Sequence, residues 1–265
     1  MRDFLGKACT ADLEVEIVGR RVLCVDETGS TNRDVLRLAR QGEPEGTVVV
    51  ADRQTAGRGR LDRSWESPPG KNLALSVLLR PAIEPDLIPF LAILAGVAAC
   101  EVLRETTHAF CVLKWPNDVI ILDRKACGIL AEAEFDERGA AAVALGIGIN
   151  VNARLEDFSP AVAEVATSLR MAMDEEFDRG VIFRALLQRL DLWYRDLREN
   201  GTANLVVRWN ELSGVAGHHV VVRTATETIR GKVVKLGREG ALVLATREGT
   251  RRILAGDVVE VRRQV

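Results

Sequence analysis

The stretch Arg53-Gln54-Thr55-Ala56-Gly57-Arg58-Gly59-Arg60-Leu61-Asp62-Arg63-Ser64-Trp65 lies between a short apolar run, Val48 to Ala51, and the alternating run Asn72 to Arg80. Flanks of that kind predict a loop joining two strands, so four arginines, two glycines and a closing tryptophan share one connection. Glycine lets the backbone fold around an anion with no side chain in the way. Arginine presents a planar fork of donors suited to carboxylate and phosphate. The loop is a candidate grip for an anionic ligand. Taken alone it reads equally well as a solvated basic turn, because short basic runs are common on surfaces.

Upstream, Arg21 to Asp26 predicts a brief strand and Glu27 to Asn32 a polar turn. Val35, Leu38 and Ala39 then mark a helix running to about Arg40 and closed by Gly42. Ser30 or Thr31 can cap that helix, and hydroxyls with free N–H groups at a helix start also make a polar cradle. Downstream, Leu73, Leu75, Val77 and Leu79 alternate as in a half-buried strand. Asp86 to about Thr107 carries Leu87, Phe90, Leu91, Leu94, Ala98 and Val102 along one helical face. Val112 to Asp118 reads as a strand entering a turn fixed by Pro116, with Trp115 a packing residue. Val119–Leu122 and Lys125–Glu132 then form a hairpin about a turn at Asp123-Arg124. Ala140 to Asn150, small and apolar, suits a central strand whose glycines permit close approach. Helices are predicted over about Pro160–Met173 and Asp178–Asn200. From about Gly217 the helical period stops, and His219–Thr224, Thr228–Leu236, Ala241–Thr246 and Arg251–Arg262 suggest a small barrel appended to an α+β domain.

The 265 residues are 47% hydrophobic and 28% charged, enough for a sizeable core, and the net charge of -2 lacks the footprint of a general nucleic-acid binder. Cys9, Cys24, Cys100, Cys111 and Cys127 are odd in number and show no CxxC pair, which reads as reduced thiols in a cytoplasmic protein. His108, His218 and His219 show no metal-ligand spacing, and no metal-binding residue is assigned. The apolar run Leu87–Cys100 is interrupted by Pro89 and is too short to span a bilayer. Met1 to about Gly19 reads as a leader packed on the rest, too short for a helix-turn-helix module.

Each motif is weak alone. The ordered set Gly29-Ser30-Thr31-Asn32, Gln54 to Arg60, Lys114-Trp115-Pro116-Asn117-Asp118, Asp123-Arg124-Lys125 with Gly128-Ile129-Leu130, and Gly146-Ile147-Gly148-Ile149-Asn150 resembles the biotin protein ligases, over roughly residues 20–265. That resemblance implies an SH2-like mixed sheet flanked by helices, of the class II synthetase/ligase kind, in residues 1–215, and an SH3-like barrel in residues 216–265. It implies an enzyme that makes biotinyl-5′-AMP from biotin and ATP with Mg2+, then passes biotin to one lysine of a biotin carboxyl carrier protein of acetyl-CoA carboxylase or a related carboxylase. By position, Ser30, Thr31, Asn32, Gln54, Arg58, Gly59, Arg60, Lys125, Gly128 and Gly146 match biotin contacts. Arg58, Arg60, Arg63, Trp65, Asn117, Lys125 and Asn150 match the ATP and adenylate side. Lys125, Arg60 and Asp118 are the candidates for catalysis. Leu61-Asp62 departs from the Arg-Gly of many members. No room is left for an N-terminal DNA-binding domain, so no specific DNA binding is expected, and the molecule is expected to be a monomer or homodimer.

The chemistry asks for such residues. Adenylation brings a carboxylate to the α-phosphorus of ATP, two anions that repel, so cations fixed where charge accumulates are the main lever. No GxxxxGK[ST] motif is present, which leaves an arginine-based phosphate grip. The mixed anhydride is water-sensitive and favours a loop that closes over it. In the transfer step the acceptor lysine, ordinarily near ~10.4, must lose a proton, and Asp118 is a possible base or a turn-fixing residue. The rival readings are a lipoate ligase or octanoyltransferase, expected to lack the arginine loop, and a nucleic-acid-binding module, disfavoured by the acidic balance and the single tyrosine.

Overall fold

The computed structural model describes residues 13–61, 63–81, 87–136 and 139–262, so Asp62, Asp86, Cys9 and most of the expected leader lie outside the described residues. β1 (Arg21–Thr28), α1 (Thr31–Arg40) and β2 (Thr47–Gln54) form a strand-helix-strand unit whose strands pair in parallel. β3 (Leu73–Leu79), α2 (Ile88–Thr107), β4 (Cys111–Lys114), β5 (Asp118–Ile121), β6 (Arg124–Asp136) and β7 (Gly139–Ile149) follow. The seven strands lie in the order β1-β2-β3-β7-β6-β5-β4, antiparallel beyond the first pair. The sheet is mixed and flanked by helices, as expected.

β3 is buried along its whole length, which corrects the half-buried expectation. Leu73, Leu75, Val77 and Leu79 face the main core, while Leu78 on the opposite face packs with Val35, Val49 and Ala144. A central strand covered on both faces has no solvent side. α2 is apolar nearly all round because it lies between the sheet and two further helices, Arg179–Asn200 and Ala203–Leu212.

The hairpin turn is Leu122-Asp123, both with positive φ (49° and 63°), one residue earlier than expected. Ile121 is held in the core, so the chain reverses directly after it, through a two-residue turn whose twist suits a hairpin. The single helix expected over 160–173 is instead two pieces, α3 (Pro160–Ala163) and α4 (Leu169–Met173). Between them the backbone pairs with β6: Lys125 N donates to Val165 O (2.8 Å) and Thr167 N to Lys125 O (2.9 Å). α5 (Arg179–Asn200) and α6 (Ala203–Leu212) complete the helices, α6 being one the periodicity did not signal. Residues 13–20 dock on α5, where Asp191 accepts from the backbone N–H groups of Glu16, Ile17 and Val18.

Glu101 of α2 is only 7% exposed and accepts from Arg189 Nη1 (2.6 Å), Trp193 Nε1 (2.9 Å) and Arg208 Nε (2.6 Å). Burial pushes its carboxyl up, but the three donors outweigh it and hold the group below its ordinary value. With the folded pKa below the unfolded one, this stabilisation is complete above the unfolded value and is lost as pH falls through the folded one. Glu101→Ala is expected to cost about 2–3 kcal/mol, less than the loss at a fully buried pair because both arginines reach solvent. The gap between the urea midpoints of parent and variant should narrow as pH falls through the carboxylate range; a gap independent of pH would mean that packing, not charge, is lost.

β8 (His219–Arg223), β9 (Thr228–Leu236), β10 (Leu242–Thr246), β11 (Gly249–Ile253) and β12 (Asp257–Arg262) form a second, antiparallel sheet in the order β11-β10-β9-β8-β12. The expected strand 251–262 is therefore two, broken around Gly256, where a Cβ would stand 2.8 Å from Arg223 O. This sheet docks through Trp115 Nε1, donating to Gly240 O (3.0 Å), and through Leu236 N, donating to Asn210 Oδ1 (2.9 Å). Among the described residues no helix is long and apolar enough to cross a membrane.

Candidate active site

A cleft of about 850 Å³ runs from the start of α1, across the glycines of β6 and β7, to β12 of the second sheet. All of the residues singled out in the sequence line it: Ser30, Thr31, Asn32 and Gln54 at one end, Arg58, Gly59, Arg60, Arg63 and Trp65 along the loop, Asn117, Asp118, Lys125, Gly128, Gly146 and Asn150 along the sheet.

At the α1 end, β2 runs past Ala51 as far as Gln54 and so carries that side chain to the helix start. Gln54 Oε1 accepts from Thr31 N (2.9 Å) and Thr31 Oγ1 (3.0 Å). Gln54 thereby satisfies a helix-start N–H that a cap residue would otherwise bind. Ser30, in the cap position, makes no capping bond with its side chain, so its hydroxyl is not spent on the helix. The Asn32 amide is committed: Nδ2 donates to Glu132 Oε2 (2.7 Å) and Leu130 O (3.3 Å). Ser76 Oγ lies 2.5 Å from Asn32 Oδ1 and 2.7 Å from Thr31 Oγ1. A Cβ on Gly146 would stand 2.3 Å from Asn32 Oδ1, which is why β7 carries glycine there.

Lys125 reaches the cleft through a β-bulge. Pairing of β5 with β6 slips between Val119, opposite Cys127, and Ile120, opposite Lys125, so one residue on β5 spans two on β6. In an unbroken strand Lys125 would share the face of Cys127, which is fully buried in the core. The bulge turns it to the face of Gly128, where a Cβ would come 2.8 Å from Lys125 Cε. Lys125 Nζ ion-pairs with Asp118 Oδ1 at 2.6 Å and lies 5.7 Å from the centre of the Trp65 ring.

The arginine loop is braced on itself by Gly59 N donating to Arg63 O (2.7 Å) and Trp65 N donating to Gly57 O (2.9 Å). Its cations reach separate elements. Arg58 pairs with Glu132 of β6 (2.8 Å), while Arg60 and Arg63 take the two oxygens of Asp257 on β12 (3.0 and 2.9 Å). Arg60 also donates to Asn117 Oδ1 (3.3 Å) and Gly256 O (3.2 Å). The Trp65 indole lies so close to β7 that a Cβ on Gly148 would stand 2.3 Å from it, and its Nε1 is buried without a partner. Asn150 spends its amide inside the protein, accepting from Asn72 Nδ2 (3.1 Å) and donating to Thr167 O (3.0 Å). Chemically, the cleft offers a polar pocket with Lys125 and three arginines, each of these four cations held by a carboxylate that an anionic ligand could replace.

The sequence signature of the biotin/lipoate A/B protein ligase family matches residues 24–150. Over 246 residues the chain is 36% identical to the bifunctional ligase/repressor BirA of Bacillus spizizenii, an alignment spanning 93% of this chain and 76% of that protein. The chain belongs to the biotin/lipoate A/B protein ligase family. It is also 33% identical over 249 residues to the biotin–[acetyl-CoA-carboxylase] ligase of Mycobacterium tuberculosis, covering 92% and 90% of the two chains. Its fold superposes on the Aquifex aeolicus biotin protein ligase in complex with biotin and ATP with a TM-score of 0.80 at 32% identity, over 92% of this chain and all of that one. The family segment holds the α1 pocket, the arginine loop, Lys125 and Gly146, whereas Asp257 lies outside it.

Three residues of the cleft region escaped the sequence reading. Ser76 had a signal, a lone hydroxyl inside the apolar run Leu73–Leu79. Glu132 sits in the strand alternation like any half-exposed acid. Asp257 is on a different sheet, about two hundred residues from its arginine partners, and no linear pattern joins them.

Proposed function

We propose that the protein is an ATP-dependent biotin protein ligase, which condenses biotin with ATP to biotinyl-5′-AMP and pyrophosphate. It then transfers the biotinyl group to one lysine of a biotin carboxyl carrier protein of acetyl-CoA carboxylase or a related carboxylase, releasing AMP. The observation that carries this reading is the convergence of Lys125, turned into the cleft by a bulge, with the arginine loop and the Ser30–Gln54 pocket. Biotin's ring system goes to the pocket of Ser30, Thr31, Asn32 and Gln54, over Gly128 and Gly146, with Arg58 and Gly59 closing above it. Its carboxylate meets Lys125, which with Arg60 offsets the charge that builds as carboxylate oxygen attacks the α-phosphorus. Arg58, Arg60 and Arg63 take the phosphates, and Trp65 with Asn117 flanks the nucleotide, the buried Trp65 Nε1 having no partner within the protein. Asn150 acts from beneath by fixing the floor. Asp118, freed when biotin draws Lys125 away, orients or deprotonates the acceptor amine.

Magnesium enters with ATP. It would need few protein ligands, because phosphate oxygens and water supply most of its coordination, and Asp118 is a carboxylate on the cleft wall. In this reading residues 1–215 form the catalytic domain, of the SH2-like, class II synthetase kind, and residues 216–265 an SH3-like domain. The protein works in the cytoplasm, as a monomer or homodimer.

Biotin-dependent exchange of pyrophosphate into ATP tests the first step, and labelling of a carrier domain at one lysine tests the second. Exchange supported by lipoate or octanoate but not by biotin would replace this reading with the lipoate branch of the family.

A further inference from the structure

We infer that Asp257, on the second sheet, is a positioning residue that latches the arginine loop in the ligand-free protein and competes with the nucleotide's phosphates for Arg60 and Arg63. The inference rests on the ligase reading for the identity of the competing anion. Its geometric basis is independent of that reading.

One carboxylate bridges two guanidinium groups, Oδ1 to Arg60 and Oδ2 to Arg63, at 3.0 and 2.9 Å. Two arginines sharing a planar or tetrahedral anion is how phosphate is gripped, so Asp257 occupies the position of a ligand group. The turn that presents it is built for the purpose. Gly256 passes so near Arg223 that a Cβ would stand 2.8 Å from its carbonyl oxygen, and the Gly256 carbonyl takes a further bond from Arg60. Asp257 lines the cleft itself and is largely shielded, its side chain 17% exposed against 26% for Arg60. Shielding makes the Arg60 pair stronger than an ordinary surface salt bridge, while Arg63, its side chain 65% exposed, is held only as a surface pair, so an anion of higher charge can displace the carboxylate from both. A triphosphate carries several negative charges where Asp257 carries one, so nucleotide entry frees β12 from the loop. The second sheet then senses whether the cleft is filled.

The test compares Asp257→Asn and Asp257→Glu with the unmutated full chain. Asparagine keeps the shape and removes the charge; glutamate restores the charge. In the free protein, trypsin should cut within Arg53–Arg63 about fivefold faster in Asp257→Asn and at nearly the parental rate in Asp257→Glu. In pyrophosphate exchange, the KM for ATP should fall about fivefold in Asp257→Asn with kcat within a factor of two, and return toward the parental value in Asp257→Glu. A purely structural role would lower kcat and thermal stability together and leave the KM for ATP unmoved or raised. Unchanged trypsin sensitivity, or an unchanged or raised KM in a folded Asp257→Asn protein, overturns the latch. If the unmutated chain shows no biotin-dependent exchange, the ligase reading fails, and the trypsin comparison still decides whether Asp257 holds the loop.

Discussion

Lys125→Ala is expected to lower biotin-dependent pyrophosphate exchange by about a thousandfold, the loss seen when one preorganised charge stabiliser is removed from a reacting centre, about 4 kcal/mol. Lys125 lies in the cleft beside Gly128, with its Nζ 5.7 Å from the centre of the Trp65 ring. Folding should hardly notice. The side chains of Lys125 and Asp118 are 32% and 22% exposed, so their pair stabilises the fold by no more than about 1 kcal/mol. Lys125→Arg should recover little, because the longer planar fork does not fit beside Gly128 in place of a compact ammonium. Exchange kinetics beside a thermal melt decide it: a folded Lys125→Ala protein with near-parental exchange would remove Lys125 from the chemistry.

Gly146→Ala should abolish measurable biotin binding, a loss of at least about a hundredfold, from a single added methyl group. That methyl would stand 2.3 Å from Asn32 Oδ1, far inside van der Waals contact. Asn32 cannot step aside cheaply, since its amide is tied to Leu130 O, Glu132 and Ser76. Moving it breaks buried hydrogen bonds worth about 1 kcal/mol each, and disturbs Thr31 through their shared neighbour Ser76. The pocket proposed for biotin is therefore reshaped at Thr31 and Asn32 together. Titration calorimetry with biotin gives the readout, beside a thermal melt that shows the variant to be folded. Parental biotin affinity in Gly146→Ala would show that Asn32 does not border the biotin pocket.

Much of the site was legible because its parts are local. The arginine loop announces itself through flanking apolar runs, the α1 start through Ser30 and Thr31 before a helical period, and β7 through glycines in an apolar strand. The cleft gathers the candidate binding and catalytic residues that those motifs nominated. Reading Ser30 as a plain cap would have missed that Gln54, from the next strand, takes that duty. Capping partners distant in sequence leave no mark in a linear pattern. The half-buried expectation for β3 failed for a related reason: alternation reports which side chains share a face, and only the arrival of α1 on the second face decides that neither face is wet.

Periodicity, turn chemistry and composition act over a few residues, and they sufficed for the class of fold, the cluster of cations around one loop and the kinship that points to biotin activation. Tertiary structure alone decided which side of β6 Lys125 faces, since that depends on a bulge set by pairing with β5. It alone decided that Asn150 is spent on the floor. It alone also decided that Asp257, from the far end of the chain, meets Arg60 and Arg63. Contacts of that kind arise from how packed sheets are docked, and the free energy that selects one docking is spread over the whole buried interface, so no short stretch of residues encodes it.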